Sequence, residues 1–367
     1  MKIAWIFPQN KRCGISMYSH AFVQALEPHA EILCIDPEEI CKKPQTIGKI
    51  TGQCRLAHIQ YETAFFMKNG IDHYRELCSL FLCPIVVTLH EVYRQFPGVY
   101  PRQSIAGSFP IGLVKRWLYD WKHPCVTALT RHTTAHFYAR RILVHWMFQK
   151  EILESKGVSG ELVGMIPFPV KSVEGHTGTV WDNASPLRMT ATGFVSDSYD
   201  FDLLLKTLDL CTVPWKFTWI GGLRRPEDRS VLKRLEEAIR RRNWTDRFTI
   251  TGWVDDEARG ALLREAHIYV ALFKHKSSSE SLATALGAQK LIVAAAIELT
   301  REITAASPCM LLTQPSAREC AEAIERIAQD APLRGRMHEA VQAYTERFSH
   351  ARCTRQLLEE YERMLHA

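Results

Sequence analysis

Lys274-His275-Lys276-Ser277-Ser278-Ser279-Glu280-Ser281 separates an apolar, strand-like run at 268–273 from a small-residue segment with helical spacing. A strand that breaks into a cationic loop and then a helix presents backbone N–H groups and the positive end of a helix dipole. Lys274, Lys276, Ser278, Ser279, Glu280 and Ser281 therefore form a candidate anion site, and a phosphate-bearing ligand is its natural first guess. A second reading stays open: Ser277 as N-cap with Glu280 three residues on is a capping box, which needs no ligand.

Three further places could carry chemistry. His90 and Glu91 end the apolar run at 85–90; an imidazole there can donate to a hydroxyl or to developing charge, and Glu91 can orient the ring or act as a base. A lone histidine at a strand end is as often a satisfied structural residue. Gly14 lies in the turn at 8–15, where a glycine permits positive φ or close approach of a ligand. At 110–122, Leu113, Val114, Trp117, Leu118 and Trp121 share one helical face, with Lys115, Arg116 and Lys122 largely elsewhere. That pattern fits a helix packed on its own domain or an amphipathic helix at an anionic membrane, where Lys115, Arg116, Trp117 and Trp121 would face the acceptor or the lipid.

These residues need a scaffold, and its rhythm is legible. Apolar runs at 3–7, 32–35, 56–61, 85–90 and 142–146 alternate with helix-period segments, and the pattern repeats with runs at 189–194, 217–221, 248–253, 268–273, 291–294 and 310–313. Strands alternating with helices imply parallel sheets covered on both faces. The expected class is α/β, with two doubly wound domains: 1–170, a polar linker at 171–186, 187–345, and a C-terminal helical segment at 346–367 that packs back toward the first domain.

The chain has 367 residues, long for one core. Its eleven cysteines are scattered singly, without C-x-x-C spacing, which suits reduced thiols in a cytoplasmic protein and argues against a zinc site. Neither a signal peptide nor an apolar stretch of spanning length is expected. The net charge of +6 resides in the first half, where 19 Lys+Arg face 13 Asp+Glu through residue 170, against 27 and 27 afterwards. Arg240-Arg241-Arg242 sits in a half that is neutral overall and reads as a solvated helix face, so nucleic acid is not an expected partner. Gly221-Gly222 has no third glycine at dinucleotide-fingerprint spacing.

The order of several short motifs carries a family resemblance. Arg12-Cys13-Gly14-Ile15-Ser16, His58-Ile59-Gln60-Tyr61-Glu62, Val87-Thr88-Leu89-His90-Glu91, Leu143-Val144-His145, Met165-Ile166-Pro167-Phe168-Pro169-Val170 and Thr251-Gly252-Trp253-Val254-Asp255-Asp256-Glu257 together resemble the GT-B glycosyltransferases, in particular the family 4 enzymes that use nucleotide sugars. The resemblance implies two Rossmann-like domains facing each other across a cleft, an acceptor-binding first domain and a donor-binding second. It also implies a sugar contact at His90, with retention of configuration. The departures are specific. The family's basic Arg/Lys pair is missing from the loop at 193–200, where Asp200 stands at the position of the lysine. Lys276 and Thr284 occupy the places of two family glutamates, Ser279-Glu280 stands for a Ser-Gly found in one subgroup, and Gln289 and Leu291 replace a usual Gly and Pro.

The expected function is transfer of a sugar from a nucleoside diphosphate donor to a glycan, lipid-linked or protein acceptor in glycoconjugate assembly. No metal and no cofactor beyond that co-substrate are expected. The location would be cytoplasmic, with peripheral contact at the inner membrane face left open. The alternative is a GT-B chain without catalysis that serves as a binding or scaffolding subunit.

Overall fold

The computed structural model describes residues 1–9, 13–68, 71–94, 138–171, 185–224 and 226–366, which form two compact units. The first comprises Met1–Phe168 with His350–Ala367, the second Pro169–Ser349. The segment at 110–122, with Lys115, Arg116, Trp117 and Trp121, lies outside the described residues, as does most of the stretch at 171–186.

Unit 1 is built on β1 (Lys2–Ile6), β2 (Glu31–Ile35), β3 (Leu56–Tyr61), β6 (Ile85–Leu89), β7 (Ala139–Val144) and β8 (Val163–Met165), with a short antiparallel hairpin of β4 (Met67–Lys68) and β5 (Ile71–Asp72) aside. The six strands are all parallel in the order β2-β1-β3-β6-β7-β8. Its described helices include α1 (Gly14–Leu26), α2 (Pro37–Lys42), α3 (Ile47–Thr51), α4 (Thr63–Phe66), α5 (Tyr74–Cys78) and α6 (Met147–Ser155). β3 and β6 are buried along their whole length, as expected of central strands covered on both faces.

Unit 2 repeats the plan with β9 (Leu187–Thr192), β10 (Trp215–Ile220), β11 (Phe248–Ile250), β12 (Ile268–Ala271), β13 (Leu291–Ala295) and β14 (Met310–Thr313), ordered β11-β10-β9-β12-β13-β14. Its helices are α7 (Phe201–Leu210), α8 (Arg229–Arg241), α9 (Asp256–Glu265), α10 (Glu280–Gly287), α11 (Glu298–Ala306), α12 (Ala317–Gln329) and α13 (Ala331–Arg347). Short polar side chains start five of them: Asp200, Asp255, Ser279, Ser316 and Asp330 accept the amides of Leu203, Ala258, Leu282, Glu319 and Leu333. At the other end of α9 the ammonium of Lys290, buried to 2% exposure, donates to the carbonyls of Arg264 and Ala266 at 3.1 and 2.9 Å.

The last helix, α14 (His350–His366), belongs to unit 1. Its His350 ring packs on Phe22 of α1 at 5.6 Å, Glu360 accepts from Arg141 of β7 at 2.7 Å, and Tyr361 bonds His58 of β3. No described helix is long and apolar enough to cross a membrane.

Candidate functional site

In a doubly wound sheet, ligands bind beyond the carboxyl ends of the strands where the strand order reverses. In unit 2 that switch point falls between β9 and β12. The loops that leave these two strands are stitched together: Tyr199 and Phe273 form an antiparallel bridge, Asp200 N–H donates to Leu272 O at 2.8 Å, and Lys274 N–H donates to Ser198 O at 3.0 Å. Burial of Tyr199, whose hydroxyl donates to Val270 O at 2.9 Å, anchors the pair.

The cationic loop thus stands on a rigid base. Lys274 and His275 are exposed, and the Lys276 ammonium lies 5.9 Å from the centre of the Phe273 ring. Helix α10 starts at Glu280, so the expected capping box does not form. Ser279, not Ser277, is the N-cap, and its Oγ accepts from Leu282 N at 3.2 Å. Ser277 is fully buried within the loop. With Leu282 capped, the amides of Glu280 and Ser281 are the ones that helical geometry leaves over at this end. Ser281 Oγ sits 3.0 Å from Ser279 Oγ, and Ser278 is half-buried beside them.

Glu280 points along its own helix. Thr284 Oγ1 lies 3.3 Å from its Oε1 and donates to its carbonyl at 2.9 Å. Burial pushes its carboxyl up to about 7, against the opposing pull of Arg259 and the Thr284 hydroxyl. The Glu280 carboxyl thus lies beside Thr284, the position where the resemblance leads one to look for an acid.

The loop after β9 faces the same helix end. Gly193, at φ +128°, would place a Cβ about 4.0 Å from Ser281 Oγ, and its carbonyl accepts from the Trp219 indole at 3.2 Å. A Cβ on Gly221, at φ +142°, would stand 2.0 Å from that same carbonyl oxygen, so glycine is required for the two loops to approach. Asp200, where the resemblance led one to look for a lysine, is the N-cap of α7 and carries out local structural work. At the neighbouring strand ends Phe194 meets Trp253 edge-on at 5.3 Å and lies under the Arg224 guanidinium at 5.3 Å, with Trp253 46% exposed. Sequence reading did not single out this aromatic surface, because its members come from three different loops.

The expected residues of the first unit lie in another kind of place. Gly14 is the first residue of α1 and half-buried, and it is not among the glycines at positive φ. His90, just beyond β6, is 3% exposed. Its Nε2 is 2.8 Å from Gln60 Oε1 and its Nδ1 is 3.2 Å from His145 Nε2, so the ring partners are Gln60 and His145, not the half-buried Glu91. Tyr18 covers both imidazoles edge-on, at 4.8 and 5.3 Å. His145 in turn has Nδ1 3.0 Å from Ile166 O, while its own amide is held by Gln149 Oε1 at 2.7 Å. Nearby, His58 bridges Tyr361 and Thr88.

Burial keeps these histidines neutral. It lowers His145 to about 4 and His58 to about 3, and it holds His90 well below the usual imidazole range with help from the other two rings. Sequence reading named His90 alone. The signal that could have found the cluster is that 58, 90 and 145 all sit in or just beyond neighbouring parallel strands, with His58 paired to Val86 and Thr88 to Leu143.

Among the described residues no group of His, Cys, Asp and Glu could hold a metal ion, and the ten described cysteines are free thiols.

Comparison with known proteins agrees with this layout. Residues 188–330 match the family described as Glycosyl transferases group 1. No curated protein matches the sequence. Among solved structures, Anabaena HepE in complex with UDP and glucose superposes with a TM-score of 0.75 at 13% identity, covering 99% of each chain. A sucrose-phosphate synthase from Thermosynechococcus elongatus gives 0.72 at 13% identity over 99% of each chain, and a glycosyltransferase from Rickettsia africae 0.69 at 14% identity over 99% of this chain and 98% of that one. This chain has the GT-B fold, and the part of it that matches the glycosyl transferases group 1 model lies within its second unit.

Proposed function

We propose that this glycosyltransferase moves a sugar from a nucleoside diphosphate donor, of the UDP class, to a hydroxyl of a glycan or lipid-linked acceptor in glycoconjugate assembly. The observation that carries the reading is the switch point of unit 2, where two exposed or half-exposed lysines flank the open end of a capped helix. A diphosphate there meets positive charge from Lys274 and Lys276 and N–H donors from Glu280 and Ser281, in the absence of a basic pair in the loop after β9. Phe194, Trp253 and Arg224, at adjoining strand ends, offer a planar surface to a base.

In the transfer, the bond from the anomeric carbon to the β-phosphate oxygen breaks and the acceptor oxygen bonds that carbon. The acceptor proton goes to the departing diphosphate. The lysines and helix amides act on the charge that grows on that oxygen. Retention of configuration is part of the reading by resemblance. HepE was crystallised with UDP-glucose, which makes that sugar nucleotide the first donor to try. His90 spends both ring nitrogens on Gln60 and His145, so a direct bond from its ring to a sugar requires one of those contacts to open.

A second reading, a binding subunit without catalysis, draws on Asp197 and Asp200 in the loop after β9, acids where a phosphate clamp would be basic. Isothermal titration with UDP-glucose, UDP and GDP separates the readings. The expected result is saturable binding of a uridine nucleotide, weakened about tenfold by Lys274→Ala/Lys276→Ala, as two partly screened cations of up to about 1 kcal/mol each would give. Binding of none of the three would sink the donor site. Binding without turnover across a panel of acceptors would favour the subunit.

A further inference from the structure

The chain Ile166–His145–His90–Gln60 has a direction, and the direction follows from its fixed end. The carbonyl of Ile166 can only accept, so His145 Nδ1, 3.0 Å away, carries a hydrogen. A neutral His145 then has a bare Nε2, which must accept from His90 Nδ1–H across 3.2 Å. A neutral His90 in turn has a bare Nε2, and among the described residues the side-chain group facing it, at 2.8 Å, is the Gln60 carboxamide. That amide must therefore present its nitrogen.

We propose that His145 and Gln60 are positioning residues that hold His90 as the Nδ1–H tautomer, with the Gln60 carboxamide turned so that its nitrogen donates to His90 Nε2. Two observations beyond the distances support this orientation. With the oxygen toward His90, the buried Gln60 Nε2 has no partner among the described residues, leaving both its hydrogens orphaned; turning the amide over satisfies one of them and orphans an oxygen, the cheaper loss. With the oxygen toward His90, the pair of rings must also hold one extra proton, since both nitrogens of one ring and one of the other would be donors. Among the described residues, the titratable groups that interact with the pair include Tyr18 from α1, His58 from β3 and, against Tyr18, Cys353 from α14, and none of these supplies a stabilising negative charge at neutral pH.

The two orientations are thus two protonation states of one device. In the neutral state the chain donates from Gln60 inward to Ile166. One added proton, shared by the two rings, makes His90 Nε2 a donor and turns the Gln60 amide over. For a site that handles hydroxyl groups the difference matters, because it decides whether the imidazole nearest the strand ends offers a proton or a lone pair.

Long-range 1H–15N correlation on histidine-labelled protein at pH 7 reads the tautomers directly. Expected are His90 and His145 both protonated at Nδ1 with an unprotonated Nε2, two ring hydrogens in all. The variant Gln60→Glu places an acceptor-only carboxylate against His90 Nε2, so it should move the hydrogen to Nε2 and add a third across the pair. His90 found as the Nε2–H tautomer in the unsubstituted protein would overturn the proposal, and that reading needs no variant to fold. An unchanged nitrogen pattern in a folded Gln60→Glu protein would overturn it too. Because the readout is a nitrogen shift, a failed assay of sugar transfer leaves the result standing.

Discussion

The two sheets end in opposite ways. Unit 1 closes its central strands with three buried histidines whose ring nitrogens all have partners inside the unit, whereas unit 2 opens its switch point onto exposed cations and a helix end. The same Rossmann-like plan thus serves in one unit as a buried polar network and in the other as a candidate surface for anions. Imidazoles whose ring nitrogens are all engaged cannot take a ligand unless a contact opens; the amides left over at a helix N-terminus can. That contrast explains why the donor function is assigned to unit 2, although His90 is the more conspicuous residue in the sequence.

The largest effect should come from breaking the loop contact that shapes the open end. Gly221→Val puts a branched side chain at φ +142° and 2.0 Å from the Gly193 carbonyl, and it should destabilise unit 2 by at least about 3 kcal/mol. Hydrogen exchange resolved by peptide would show unit 2 losing protection while unit 1 keeps its own.

Acid sharpens the comparison because the two units respond with opposite sign. His145 titrates near 4 in the folded chain against 6.5 unfolded, and His58 near 3, so their neutral burial is stabilising above pH 6.5 and that stability is lost as pH falls from there toward 4. Glu280 titrates near 7 against 4.5, so its contribution is present at low pH and is lost as pH rises from 4.5 through 7. Moving from pH 7 to 5 should therefore weaken unit 1 by about 2 kcal/mol per histidine and strengthen unit 2 by a similar amount, at about 1.4 kcal/mol per pH unit. Urea melts followed by exchange in each unit test this; a common direction for both would remove the contrast.

Smaller changes address the helix end alone. Ser279→Ala removes the cap on Leu282 and should cost about 1 kcal/mol in unit 2, while Ser277→Ala, outside the cap, should not alter the helix start. Gln289 adopts φ +50°, a left-handed conformation where the resembled family has glycine, so Gln289→Gly should stabilise unit 2 by up to about 1 kcal/mol in thermal melts.

How much of this was legible follows from where the residues lie. The strands and helices were readable because their period is local, and the helix start at 279–281 was nearly so: the right residue types were in view, but Ser277 and Ser279 are equivalent as sequence, and only the depth at which the loop buries Ser277 moves the cap by two residues. The histidine chain was invisible beyond His90, since residues 60, 90, 145 and 166 meet only through the register of β3, β6, β7 and β8. Likewise Phe194 and Trp253 become neighbours only once three glycine-bearing loops converge.

The most direct test of the unit 2 assignment is a hydrogen-exchange footprint with saturating UDP-glucose. Slowed exchange is expected in peptides covering 193–200 and 274–284, with the peptides around His90 and His145 unchanged. Protection confined to unit 1, with 274–284 exchanging as in the free protein, would contradict it.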